Sequence, residues 1–196
     1  MRNGKTVIVR GGGDLATGII YRLWRVGYSV LVLETEYPLV VRRTVAVASA
    51  VFDGSAKVED MTAVLIDSAK EFVPASEIIQ VLVDPDGRSI EKIRPDILVD
   101  AIMAKKNLGT TKNMAPLVIG IGPGFSAPQE VHAVIETKRG HTLGRVITNG
   151  GAIPNTGVPG IIKGYSTERL LRAPTDGYLL PVRKIGDEVS CGEVVG

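Results

Sequence analysis

Three consecutive glycines, Gly11-Gly12-Gly13, stand between a β-branched run and a helical pattern, and this junction limits the fold more than any other feature of the chain. The run Lys5-Thr-Val-Ile-Val-Arg10 reads as a strand. Beyond the glycines, Leu15, Ile19 and Leu23 recur every four residues, joined by Ile20 and Trp24, which places one apolar stripe on a helix. Asp14 is the expected N-cap and Gly27 the expected stop. Ser29-Val-Leu-Val-Leu-Glu34 follows as an apolar run of the kind buried on both faces of a parallel sheet. Strand, glycine turn, helix and strand within about 30 residues make a βαβ unit.

The turn is also a candidate phosphate cradle. Gly11-Gly12-Gly13-Asp14-Leu15-Ala16 matches the dinucleotide pattern G-x-G-x-x-G/A between strand and helix. Glycines let main chain approach a pyrophosphate, and a helix start offers free N–H groups. Glu34 ends the next strand 21 residues after Gly13, where a carboxylate would accept a ribose hydroxyl. A purely structural turn with a solvated Glu34 fits the same residues, and the Asp14 carboxylate would stand close to a bound anion. Glu34 favours a free 2′-hydroxyl, whereas Arg42 and Arg43 are near enough in sequence to meet a 2′-phosphate.

Further along, residues 40–52 are an expected helix. Ala63–Asp67, Pro95–Ala101 and Pro116–Ile121 are expected strands, and Val131–Thr137 and Leu143–Thr148 alternate in a β manner. In a doubly wound sheet, the loops after Arg10, Glu34, Val99 and Ile121 emerge at one edge, where ligands of open α/β sheets bind. That edge gathers Asp100, Lys105, Lys106 and Asn107 from one loop, with Gly122 and Gly124 from Gly120-Ile-Gly-Pro-Gly-Phe125. Lys105 or Lys106 would hold an anion there, and a surface lysine pair is the plainer alternative. His132 and Glu136 share a strand face, and Arg139 and His141 follow in a turn. They are candidates for acid/base chemistry, anion binding or structural hydrogen bonds. Two histidines and a carboxylate lack the helical spacing of a zinc site, so no metal is expected.

Composition narrows the class. Apolar residues make up 44% of the 196, and 23 basic against 21 acidic residues leave a net charge of +2, which excludes a disordered chain. The same near-neutrality, with nine aromatic residues, argues against nucleic-acid binding. No apolar run reaches the roughly 18 residues of a membrane helix, so no membrane partner is expected. No export leader is evident, so a cytoplasmic protein is expected. The single cysteine, Cys191, excludes an internal disulfide and a cysteine-cluster zinc site. Glycines shift from eight in residues 1–108 to fifteen in 109–196, so short strands and turns should dominate the second part. Arg172-Ala-Pro-Thr-Asp-Gly177, Ile185–Val189 and Gly192–Val195 resemble the first half of a biotinyl/lipoyl-like β domain. The half with the carrier lysine is missing, so this region should be truncated or completed by another chain. The expected fold is α/β: a Rossmann-like doubly wound, mostly parallel sheet over 1–128, a Gly/Pro-rich β extension over 129–168, and a partial biotinyl/lipoyl-like segment over 169–196.

Arg10–Gly18, Asp100–Thr110, Pro116–Ala127, Val131–Arg145 and Asn155–Gly160 together resemble the accessory proteins of selenium-dependent molybdenum hydroxylase systems, the YqeB-type family. The stretches AKKNLGT, IGPGF and ETKRGHTLGR carry most of that resemblance. It implies maturation or support of a molybdenum hydroxylase client, and it does not imply a reaction. NAD(P) or another nucleotide is the expected cofactor, and a homo-oligomer is possible. An NAD(P)-dependent oxidoreductase using Lys105 or His132 as acid/base, and a non-catalytic interaction scaffold, are the alternatives.

Overall fold

The computed structural model describes residues 4–157 and 160–196. Met1–Asn3, at the start of the expected 1–128 domain, and Val158 and Pro159, inside the Asn155–Gly160 motif, lie outside the described residues. The protein divides into two compact units, Met1–Asn155 and Thr156–Gly196.

The first unit is mixed α/β. Its strands are β1 (Thr6–Arg10), β2 (Ser29–Glu34), β3 (Ser55–Val58), β4 (Met61–Ile66), β5 (Ile79–Val83), β6 (Ile97–Asp100), β7 (Leu117–Ile121), β8 (Ala133–Ile135) and β9 (Val146–Ile147). They form one sheet in the order β3-β4-β5-β2-β1-β6-β7-β8-β9. Pairing is parallel from β4 through to β8, and only the outermost strands, β3 and β9, run antiparallel to their neighbours. The helices are α1 (Asp14–Arg25), α2 (Ala50–Asp53) and α3 (Arg88–Ile93).

β1 explains why the early strands are apolar throughout. Val7 and Val9 pack on one side with Ala16 and Ile20 of α1, while Ile8 packs on the other with Ile90 of α3. Both faces of the sheet are therefore covered, and polar residues at alternate positions would be buried without partners. α1 starts one residue earlier than its expected cap: Gly13 is the N-cap, and Asp14 already lies in the first turn, where a carboxylate favours the helix dipole. It stops at Gly27, whose φ of +91° lets the Gly27 and Tyr28 N–H groups turn back to the Trp24 and Leu23 carbonyls.

The expected helix over 40–52 is not continuous. Two 3-10 turns, Arg43–Val45 and Val47–Ser49, lead into the short α2. Ala46, Val47, Ala48 and Ala50 are buried there, so tertiary contact rather than helical periodicity sets this segment. β3, β5 and α3 are additional to the elements read from the sequence.

In the second unit, a 3-10 turn spans Thr167–Arg169, Ile162 pairs with Tyr165, and the Val182 N–H donates to the Val195 carbonyl at 2.9 Å. Arg183 and Glu193 form an ion pair, and no strand occurs among this unit's described residues.

Candidate functional site

Strand order turns back on itself at the centre of the sheet: β2 lies on one side of β1 and β6 on the other. The register pairs Arg10 with both Leu33 and Asp100, so the chain leaves all three strands at the same level. A cleft of about 1120 Å³ opens there. Gly11, Gly13, Asp14, Leu15 and Ala16 form one wall; Glu34–Tyr37 and Leu39–Arg42 form a second; Ile102, Met103, Lys105 and Leu108 form a third. Asp84, Pro85 and Arg10 lie at the base. The walls are largely aliphatic, with a few charged groups among them, as in small-molecule sites generally.

The three glycines have separate causes. Gly11 has φ +91°, and a Cβ on it would stand 2.9 Å from the Ala101 carbonyl oxygen, so β6 forbids a side chain. A Cβ on Gly12 would press at 3.1 Å on Val32 Cγ1, Val47 Cγ2 and the Ala48 nitrogen. Gly13 differs. Its φ of −62° suits any residue, a Cβ there would meet nothing within 4 Å, and it faces the cleft.

Charges are arranged around this turn. Glu34 accepts the Gly12 N–H at 2.6 Å through Oε1 and the Thr35 N–H at 2.9 Å through Oε2, so the end of β2 is fastened to the turn. Asp14, the carboxylate that opposed an anion, is ion-paired with Arg42. Asp84 has a carboxyl held below its ordinary range. Burial pushes it up, but the backbone N–H groups of Ser89, Arg88 and Gly87 gathered around it outweigh that. Its role is to start α3.

Below the cleft, Arg10 and Asp100 are buried and bridged by Thr110. The Arg10 guanidinium donates to Thr110 Oγ1 at 2.6 Å and to the Pro85 carbonyl at 2.9 Å, and the Thr110 hydroxyl donates to Asp100 at 2.5 Å. Asn107 closes the loop over them: it accepts the Thr110 N–H and donates to the Thr110 carbonyl, both at 2.8 Å, and to Glu130 at 3.0 Å. The loop between Ala101 and Thr110 is thus clasped onto β1 and β6. Met103 and Lys105 have φ of +61° and +63°, backbone that non-glycine residues adopt at a cost.

Of the residues singled out from the sequence, Gly11, Gly13, Asp14, Glu34 and Lys105 share the cleft. Gly12, Asp100 and Asn107 support it from behind. Lys106 does not line it; a Cβ on Gly124 would stand 2.6 Å from the Lys106 Cα, so Gly124 serves close packing under the loop. Gly122 likewise makes room for Thr137, whose Oγ1 would be 2.8 Å from an added Cβ. His132 is a clasp between strands: its Nδ1 accepts the Val118 N–H at 3.0 Å and its own N–H donates to the Val118 carbonyl at 2.9 Å. Arg139 and His141 are exposed in the turn before β9.

Comparison with known proteins adds one relative. The chain is 49% identical over 191 residues, 96% of its length, to the uncharacterized protein YqeB of Escherichia coli (strain K12). The chain is a relative of YqeB. It spans 35% of YqeB's own length. No family model and no solved structure matches it.

In this YqeB relative, sequence reasoning missed the apolar part of the cleft's second wall. Tyr37, Leu39, Val40 and Val41 line it, and the signal was present as an apolar run with no helical or alternating period. It missed the Arg42–Asp14 pair as well, because their 28-residue separation has no periodic signature. Asp84 and Pro85 entered the site with β5, which sequence reasoning also missed.

Proposed function

We propose that this chain is an accessory factor in the maturation or support of a selenium-dependent molybdenum hydroxylase, and that it binds a nucleotide or another anionic cofactor in the cleft beside Gly13. The first half of this reading rests on the resemblance carried by AKKNLGT, IGPGF and ETKRGHTLGR. The second half rests on Gly13. Packing accounts for Gly11 and Gly12, but among the described residues no atom stands within 4 Å of a Cβ added at Gly13, and the N–H groups of α1's first turn stand beside it without helical acceptors. On this reading the sheet is Rossmann-like, with the ligand at the reversal of strand order.

The test is a calorimetric titration of the purified chain with NAD⁺, NADP⁺, CTP, GTP and CDP at low salt. At least one should bind, and Gly13→Val should abolish that binding while shifting stability by less than about 1 kcal/mol, the scale of an N-cap change. Affinity should fall as salt rises, since exposed charges are screened over about 8 Å at physiological ionic strength. Absence of binding by all five ligands would remove the nucleotide half of the proposal. Retained binding by a folded Gly13→Val protein would move the site elsewhere.

A further inference from the structure

The floor of the cleft carries a cation that the glycine turn does not use. Val7 and Val9 pack with α1 and Ile8 with α3, so the pleat of β1 sends Arg10 to the α3 side. Its Nε would stand 3.8 Å from a Cβ on Gly87, the residue before α3. Arg10 lines the cleft although its side chain is only 4% exposed. The cleft therefore reaches over the end of β1, from Gly13 and Asp14 beside α1 to Arg10 on the opposite side.

Arg10 offers more donors than the protein uses. A guanidinium has five N–H groups. Among the described residues one goes to Thr110 Oγ1 and one to the Pro85 carbonyl, which leaves three without an acceptor. A buried donor left unmet is costly, so a ligand that brings an acceptor gains more from Arg10 than from an exposed arginine. That acceptor must be uncharged. Asp100 Oδ2 stands 3.7 Å from Nη1, too far for a hydrogen bond but close enough to neutralise the guanidinium, and both side chains are buried. A carboxylate or phosphate on Arg10 would leave this buried group with a net negative charge. A carbonyl oxygen takes the same N–H groups without adding charge.

Phosphates have the N–H groups of α1's first turn instead. Arg10 and Gly13 are three residues apart, at most about 11 Å between Cα atoms, so one nucleotide can reach both. Bases differ in what they would show to Arg10. Guanine sets the O6 and N7 acceptors side by side, and cytosine sets O2 beside N3. Adenine has no carbonyl, and its amino group places donors beside N7.

We propose that the floor of the cleft is a base subsite for a nucleobase with a carbonyl beside an unprotonated ring nitrogen, and that Arg10 is the specificity residue that favours it over adenine. This rests on the preceding reading that a nucleotide occupies the cleft. It goes further in naming the class of base and the residue that reads it.

GTP, ITP, CTP and ATP share ribose and triphosphate and differ in the base, so they are the probes. In calorimetry on the full chain, GTP or CTP should bind at least about tenfold tighter than ATP, the low end of what an arginine matched to base acceptors contributes. ITP keeps O6 and N7 without the 2-amino group. ITP following GTP identifies an oxopurine, and CTP alone above ATP identifies cytosine. Arg10→Lys keeps a cation facing Asp100 but loses the planar fork. It should narrow the ratio several-fold by weakening the preferred base, with ATP affinity unchanged. Circular dichroism confirms its folding, and the four nucleotides on the unmutated chain carry the test if it does not fold. Equal losses for both nucleotides would mark Arg10 as structural and overturn its role. ATP bound as tightly as GTP and CTP overturns the inference and leaves the nucleotide reading standing. So does tight GTP with ITP as weak as ATP, because the 2-amino group is then what is read. So does binding of NAD⁺ or NADP⁺ with none of GTP, ITP and CTP bound. Binding of no nucleotide overturns the inference together with the reading on which it rests.

Discussion

Glu136 is buried just after β8, yet both its carboxylate oxygens are paired: Oε2 accepts the Ile153 N–H at 2.9 Å and Oε1 the Lys138 N–H at 2.8 Å. These backbone donors hold its pKa below the ordinary value against the opposing effect of burial. A depressed carboxyl pKa contributes stability that is present above the unfolded value, near 4.3, and is lost as pH falls through the folded one. Glu136→Gln should accordingly lower the melting temperature at pH 7, and the gap to the unmutated protein should shrink as pH falls below about 4. A gap independent of pH between 7 and 3 would show that the charge on Glu136 contributes nothing. Glycines give a second contrast at this scale. Gly11→Ala forces a side chain into left-handed backbone against β6 and should cost about 1–3 kcal/mol in denaturant unfolding. Gly13 has no such constraint, so a comparable loss in Gly13→Ala would contradict the geometry of the turn.

Between elements, the AKKNLGT stretch is a clasp as much as a lining. Thr110 is the joint: it receives Arg10 from β1 and donates to Asp100 of β6, and Asn107 holds its backbone from both sides. Thr110→Val keeps the shape but leaves a buried guanidinium and carboxylate each short of a partner, at a cost of about 1–3 kcal/mol. The loop that carries Lys105 should loosen with it, so any nucleotide affinity should fall along with stability. Loss of stability with affinity intact would separate the clasp from the site. The elements legible in the sequence were those with a single cause. β1, β2, β6 and β7 are apolar because both sheet faces are covered, and α1 is framed by glycines at its start and stop. β5 was hidden because Gln80 interrupts it; the structure satisfies that buried amide by pairing it with both the N–H and the carbonyl of Val73, a loop contact with no periodic signature. α3 was hidden because six residues carry too little period, and the Asp84 side chain starts it by accepting the Arg88 and Ser89 N–H groups. The expected helix over 40–52 failed for the opposite reason: its small and apolar residues are buried by neighbours in non-helical turns. The candidate site was half legible for the same reasons, since its glycine wall is local and its other walls are assembled by the sheet.

Across the whole molecule, every buried apolar side chain among the described residues lies at or before Ala152. The cleft draws on residues between Arg10 and Leu108. The segment 1–155 should therefore fold by itself, and calorimetric unfolding of that segment should show a cooperative transition close to the main one of the full chain. Non-cooperative melting of the segment would mean that its core is incomplete. Within that unit, β1 is made first but lies between β2 and β6, and its second neighbour is separated from it by about 90 residues of chain, as in the Val7–Ile97 pairing. On a ribosome, one long side of β1 would stay unpaired until Asp100 has emerged, exposing open backbone donors and acceptors to any other extended chain. Synthesis, not the finished sheet, is then when this protein is most vulnerable to aggregation, and the loop that later closes over the cleft is also the one whose arrival follows the sealing of that side.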